Sequence, residues 1–232
     1  MISSILLLVG MLQAGVVEDL KSASNEQASE SDRMAIFEKL TSEANANQKL
    51  ILTVAQDSKA ASNTRWVAIR VLGKANLSEN TKALEALCSD PDSVIRIAAI
   101  TALSDMNSVS STEVIASKLK DPALIVRGSA ADALAVLKDI RTIDDLADAL
   151  ESKDNYYRGQ SVWVRIRFVL ALGEIGSKIA FPALEKALVD DDPKVVLAAL
   201  VALRKIVGYD FSEGRSQEEH IQAWLRWLPA NQ

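Results

Sequence analysis

The chain has 232 residues, a net charge of −5 and a pI near 5.1; 49% of its residues are apolar but only 5% aromatic. An acidic balance argues against nucleic acid as a partner, since its binders carry a basic footprint, and it supplies no polybasic membrane patch. One cysteine (Cys88) and one histidine (His220) exclude an intrachain disulfide and most zinc sites. Only nine glycines and five prolines speak against a strand-and-turn protein.

At the N-terminus, Ile5 to Leu12 reads ILLLVGML. The run is too short to cross a bilayer, which takes about 20 residues. It reads as a signal-peptide core with a break near Ala14–Gly15, although no Lys or Arg precedes it; a buried first helix is the other reading. Residues 1–14 are therefore expected to be a signal peptide and the mature chain periplasmic or secreted, with a cytoplasmic chain as the alternative. Residues 15–31 are polar and read as a linker or a frayed helix. Met34, Phe37 and Leu40, then Leu50, Ile51 and Val54, predict two capping helices over 32–58. The divisions expected are a linker with an N-terminal helix over 15–45, a repeat array over 46–210 and a C-terminal capping helix over 211–232.

From residue 63 the chain repeats itself. Arg65, Arg96, Arg127, Arg165 and Val196 open five related segments, spaced by 31, 31, 38 and 31 residues. One residue earlier stand Thr64, Ile95, Val126, Val164 and Val195. Three residues later come Ala68, Ala99, Ala130, Phe168 and Ala199, and seven later Leu72, Leu103, Leu134, Leu172 and Leu203. Offsets of −1, +3 and +7 share one helical face. The preceding helices repeat in step, through Leu84, Ile115, Leu146 and Leu184, and through Cys88, Leu119, Leu150 and Leu188. Each unit is helix, turn, helix, and its apolar faces need neighbouring units to cover them. Cys88 stands in an otherwise aliphatic column and reads as core rather than nucleophile.

The punctuation agrees. Asp90–Pro91, Asp121–Pro122 and Asp192–Pro193 precede second helices, where proline suits the first turn. Ser110 with Glu113 and Thr142 with Asp145 predict capping boxes, and Gly173 and Gly176 a helix stop. Asp90 with Arg96, and Asp121 with Arg127, are expected to form a structural ladder that stops before the last unit, where Val196 replaces arginine. Trp224 and Trp227 lie on or beside the stripe of Ile221 and Leu228 and are expected to seal the end of the array.

The segment ALGEIGSKIAFPALEKALVDDDPKVVLAALVAL (residues 171–203), with SDPDSVIRIAAITAL and KDPALIVRGSAADAL, resembles the bacterial HEAT and bilin-lyase-type HEAT-like repeat over roughly residues 46–207. The resemblance implies an all-α, right-handed superhelical solenoid of helical hairpins whose second helices line the concave side and receive a partner. The tail VGYDF followed by IQAWLRWL is similar to the Trp-containing end of some bacterial HEAT proteins.

The candidate site follows from what opposes the core face. At offset +1 stand Trp66, Ile97, Gly128, Ile166 and Leu197; at +5 stand Arg70, Thr101, Asp132, Leu170 and Val201. Such a strip is mainly apolar, with a polar break in the third unit, and marks an interaction site if exposed, or a close helix contact if buried. The fourth unit carries seven extra residues within KDNYYRGQ, and Tyr156, Tyr157 and Arg158 are residue types favoured at hot spots; a tolerated loop extension is the other reading. The repeats contain no histidine, no glycine-rich phosphate loop and no nucleophile–base pairing. The function expected is therefore a non-catalytic scaffold or adaptor for another protein, without cofactor or metal and without membrane insertion of the mature chain. The alternative is a subunit of an enzyme such as a bilin-lyase-like HEAT protein.

Overall fold

The computed structural model describes residues 14–214 and 216–231, so the apolar run Ile5–Leu12 lies outside the described residues. The fold is all-α, built of helical hairpins of the solenoid type, and the chain divides into two compact units at Ser111/Thr112.

Unit 1 holds a helix over residues 14–23 (α1), then α2 (Glu30–Gln56), α3 (Ser62–Lys74), α4 (Thr81–Leu87) and α5 (Ser93–Asp105). Of the stretch read as a linker or a frayed helix, residues 15–23 belong to α1. Its Val16, Leu20 and Ala23 recur at helical spacing and are buried. The two helices expected over 32–58 are one helix of 27 residues, because no glycine or proline interrupts Glu30–Gln56. Ser29 caps it by accepting the Asp32 N–H. Leu40 and Ile51 are buried, whereas Met34 is exposed.

Unit 2 holds α6 (Thr112–Ser117), α7 (Leu124–Leu137), α8 (Ile143–Glu151), α9 (Val164–Ile175), α10 (Phe181–Ala187), α11 (Pro193–Val207) and α12 (Gln217–Trp227). Within each unit the longer second helices lie side by side, α3 with α5 in one and α7, α9 and α11 in the other. The shorter first helices α4, α6, α8 and α10 each pack on the second helix that follows. All the residues of the −1, +3 and +7 columns, and of the two first-helix columns, are buried.

The turns repeat as regularly as the core. Just past each second helix a residue takes positive φ: Asn76, Asn107, Lys138, Gly176 and Gly208. Gly176 is the stop anticipated from the sequence; Gly173 lies inside α9 and does something else. A Cβ there would stand 2.6 Å from Ala202 Cα, and one at Gly73 would stand 2.6 Å from Ala102 Cα. In each unit a glycine thus lets two second helices meet backbone to backbone. Each first helix enters through a 3-10 turn. Thr142, expected in a capping box, instead donates its hydroxyl to the Asp139 carbonyl (2.8 Å), while Asp139 caps the turn by accepting the Arg141 N–H. The Arg141 guanidinium, with Thr112, holds the Asp139 carboxyl well below the usual carboxylate range. A capping box does form at Ser216 and Glu219, opening α12.

The arginine ladder runs out of the expected register. Arg96 donates to the Asp90 and Pro91 carbonyls, and Arg127 to the Asp121 carbonyl, so these pairs meet through backbone. The Asp90 carboxylate takes Arg65 from the preceding repeat (2.5 Å), and the Asp190 carboxylate takes Arg165 (2.5 Å). Each of these arginines also holds a first-element carbonyl, Arg65 that of Ala55 and Arg165 that of Leu150, both at 2.9 Å. Arg127 ends on Asn155 Oδ1 (2.7 Å) and the Asp154 carbonyl (2.9 Å).

The end of unit 2 is aromatic. Trp224 and Leu228 are fully buried, Trp224 stacks edge-on with Phe211, and Trp227 with Phe181 of α10. Trp224 Nε1 donates to His220 Nε2 (3.0 Å), and Asp210 Oδ1 lies 2.9 Å from the same nitrogen. An indole N–H only donates and a carboxylate only accepts, so that nitrogen serves one or the other according to whether it carries a proton.

Four substitutions probe these devices by urea unfolding. Lys138→Gly is expected to stabilise by about 1 kcal/mol, because a side chain at positive φ carries strain that glycine does not. Gly173→Ala is expected to destabilise by about 1–3 kcal/mol: helix propensity favours alanine by about 1 kcal/mol, but the Cβ meets the Ala202 backbone, which has no rotamer to yield. An unchanged or raised midpoint would contradict the close approach. Arg165→Met, which strands Asp190, is expected to cost about 3 kcal/mol, whereas Arg167→Met, which breaks an exposed pair with Asp132, costs under about 1 kcal/mol. Equal losses would contradict the ladder.

Candidate partner-binding surface

The outer faces of the second helices carry the +1 and +5 columns. In unit 1, the Lys74–Asp105 ion pair (3.1 Å) joins α3 and α5 at positions 31 residues apart. Trp66 and Ile97 share that offset two turns earlier, so they are neighbours; Trp66 is exposed and Ile97 half-buried.

In unit 2 the Lys205–Glu174 pair (2.5 Å) fixes the same offset between α9 and α11. One turn earlier Leu170 (36% exposed) stands beside Val201 (45%); two turns earlier half-buried Ile166 stands beside Leu197 (50%). The sequence showed a gap at Gly128, but the structure fills it. The Trp163 indole lies over Gly128, so close that a Cβ there would meet Trp163 at 2.7 Å. Trp163 is still 45% exposed. It forms a fixed aromatic wall beside Ile166 and Leu170, and the sequence reading missed it. The signal was present: a glycine where every other repeat has a large apolar residue, and a tryptophan at the mouth of the next second helix. Asp132 is polar as read, and it pairs with Arg167 across α7 and α9 (2.9 Å).

The insertion lies between α8 and α9 and folds into a hairpin of β1 (Tyr156–Tyr157) and β2 (Gln160–Ser161). Arg158 and Gly159 both take positive φ, as a two-residue type I′ turn requires. Asn155 anchors it. Almost fully buried, it accepts from Arg127, donates to the Ala149 carbonyl (2.7 Å) and accepts the Val162 N–H at its own carbonyl (3.0 Å). Asn155 is thus a neutral rung of the ladder, which the sequence reading also missed. The Tyr156 ring covers the Arg165 guanidinium (4.4 Å), and burial pushes its hydroxyl pKa up. Tyr157 is largely exposed, with Arg158 over its ring (5.3 Å). A cleft of about 420 Å³ separates the hairpin from the Asp190–Pro193 turn. Tyr156, Tyr157 and Arg158 therefore sit on a hairpin, while Ile166, Leu170, Leu197 and Val201 form a helical face.

Among the described residues no group of three or more His, Cys, Asp or Glu side chains could hold a metal ion, and no helix is long and apolar enough to cross a membrane. Cys88 is buried in unit 1, and His220 is engaged with Trp224 in unit 2.

Comparison with known proteins matches the repeats directly. A model of HEAT repeats matches residues 48–117 and 158–219, and one of the PBS lyase HEAT-like repeat matches residues 126–152. The chain is similar to the solved complex of CpcE and CpcF of phycocyanin lyase from Nostoc sp. PCC7120, at 24% identity and a TM-score of 0.58. That likeness covers 69% of this chain and 65% of that one, just under two thirds of the relative's length. It is also similar to a designed armadillo repeat protein in complex with peptide (KR)4 (16% identity, TM-score 0.52, covering 83% of this chain and 98% of that one). An engineered protein is similar too (18%, TM-score 0.51, covering 84% and 97%). At these identities the likeness is one of fold. No curated protein matches the chain. With the HEAT-repeat model covering more than half of its residues, the chain belongs to the HEAT-repeat family.

Proposed function

We propose that this chain is a non-catalytic adaptor that binds another protein on the outer faces of its second helices. The observation that carries this reading is the run of exposed apolar side chains in unit 2. Trp163, Leu170, Leu197 and Val201 are all exposed on adjacent helices held in register. Single exposed apolar residues are ordinary on a protein surface, but a contiguous group on neighbouring helices marks an interaction site. Trp66 and Ile97 offer a second apolar pair in unit 1. Tyr156, Tyr157 and Arg158 supply hot-spot residue types on the hairpin. Repeat proteins of this fold are found in complexes with a second protein and with a peptide.

A second reading is a subunit of a bilin-lyase-like enzyme. It is favoured by the likeness to a phycocyanin lyase complex and by the match at residues 126–152. The adaptor reading is preferred because the repeats contain no histidine and no nucleophile–base pair. We further propose export to the periplasm or beyond, on the strength of Ile5–Leu12, which would be hard to reconcile with bilin attachment. Residues 1–30 fused to a reporter active only outside the cytoplasm should give signal; a silent, stably expressed fusion overturns export.

The adaptor reading is tested with a photo-crosslinking amino acid at Leu197 and, as a control, at exposed Lys186 on α10. In the native host Leu197 should give a discrete crosslinked protein that Lys186 does not, and Leu170→Asp should abolish it with unchanged helicity. Identical crosslinks from both positions, or no effect of Leu170→Asp, would overturn the reading. Covalent bilin attachment to apo-phycocyanin by the purified chain, seen as a new visible absorbance on the denatured product, would establish the second reading instead.

A further inference from the structure

The exposed face of α11 carries charge of one sign as well as apolar surface. Along it run Lys194, Leu197, Val201, Arg204 and Lys205, and no acidic residue follows its N-cap Asp192. Lys194 and Lys205 are eleven residues apart, about 16 Å along the helix axis. Lys194 has no ion pair among the described residues. Arg204 reaches only Asp210 at 3.5 Å and is itself 58% exposed, and Lys205 pairs with an exposed Glu174. Exposed pairs of this kind contribute about 0–1 kcal/mol and exchange readily for a partner's carboxylate. Adding Arg167 on α9, the face bears four cations against Asp132, Glu174 and Asp210, so Lys194 is left over, although the chain as a whole is at −5.

We propose that the occupant of the unit 2 face is an acidic amphipathic helix of about three turns from a partner protein. This deepens the adaptor reading and rests on it. Two neighbouring helices in register present Ile166 with Leu197 and Leu170 with Val201, an apolar strip a helix matches with residues at i, i+3 or i+4, and i+7. Trp163, seated on Gly128, bounds the strip at one side. Lys194 stands before it and Arg204 and Lys205 beyond it, so carboxylates near both ends of the guest helix meet cations. An extended basic segment would face the same cations and is disfavoured by like charge; an anionic membrane would meet the same charges as the guest helix, and binding to vesicles separates the two.

The test is selection from a display library of helix-forming 16-residue peptides against the full chain. Enriched peptides should show the helical apolar spacing with Asp or Glu near both ends. Their affinity should fall at least tenfold with Lys194→Glu and with Leu197→Asp, and should weaken as salt rises. Lys194→Glu places an acid in the first turn of α11, which suits the helix dipole, so the variant should fold; far-UV circular dichroism checks this. Enrichment of basic or extended sequences whose binding is still lost in Leu170→Asp would overturn this inference and leave the adaptor reading standing. If no enriched peptide responds to Leu170→Asp or Leu197→Asp, both fail. Binding to vesicles of anionic lipid that is lost in the same variants would also overturn it, in favour of a membrane surface.

Discussion

Arginine at the start of four of the five second helices is the constraint on which the rest of the structure hangs. In an array of short helices the first helix offers its last carbonyls to nothing in its own backbone, and these need donors. Arg65 and Arg165 meet that need with one N–H and spend the rest of the guanidinium fork on the aspartate of the next repeat. A planar fork with several donors can hold a carbonyl on one side and a carboxylate on another, which a lysine cannot do. The aspartate in turn accepts a backbone N–H two residues on, Asp90 from Asp92 and Asp190 from Asp192, so each rung fixes the turn that launches the following second helix. A buried ion pair of this sort adds little net stability over apolar packing. Its effect is on register, and it is register that brings Leu170 beside Val201.

The same register lets glycine act. Gly73 and Gly173 occupy equivalent places in their helices, and each lets a neighbour's alanine approach to backbone contact. Close contact between neighbouring second helices sets the +1 and +5 side chains of adjacent repeats beside one another, with Ile97 and Ile166 half-buried and Leu170, Leu197 and Val201 exposed. Dense packing below and an apolar outer face above are therefore two results of one geometry. Small residues at the contact decide how far the large ones project.

Much of this was legible in the sequence, and the boundary has a physical cause. Periodic core columns were readable because burial selects aliphatic side chains at fixed offsets, and every one of those positions is buried. Asp90 and Arg127 were readable as members of the ladder but their partners were not, and Arg65, Arg165, Asp190 and Asn155 were not read as members. A side chain as long as arginine reaches both its own repeat and the next, and spacing along the chain does not say which carboxylate it takes. The buried face of the helix over 14–23 was hidden because its three positions, Val16, Leu20 and Ala23, stand among polar residues in too short a stretch to declare a period. Thr142 misled because a hydroxyl near a helix start can bond a preceding carbonyl as readily as a following N–H.

The insertion shows how a repeat changes its surface without losing its core. Seven extra residues lengthen the period to 38, and the aspartate that would meet Arg127 becomes Asn155. Asparagine can do there what aspartate cannot. Its oxygen accepts from Arg127 while its nitrogen donates to the Ala149 carbonyl, so one neutral side chain ties the hairpin's entry to both the preceding second helix and its own first helix. Its backbone carbonyl then takes the Val162 N–H and closes the loop at its base. The residue delivered by that closure is Trp163, and it lands on the one second helix whose +1 position is glycine. A larger residue at position 128 would push the indole off, and without the closed loop the indole would have no fixed entry onto α7. Gly128 and the insertion are thus two halves of one arrangement, and together they extend the apolar face into the repeat where the sequence alone showed a break.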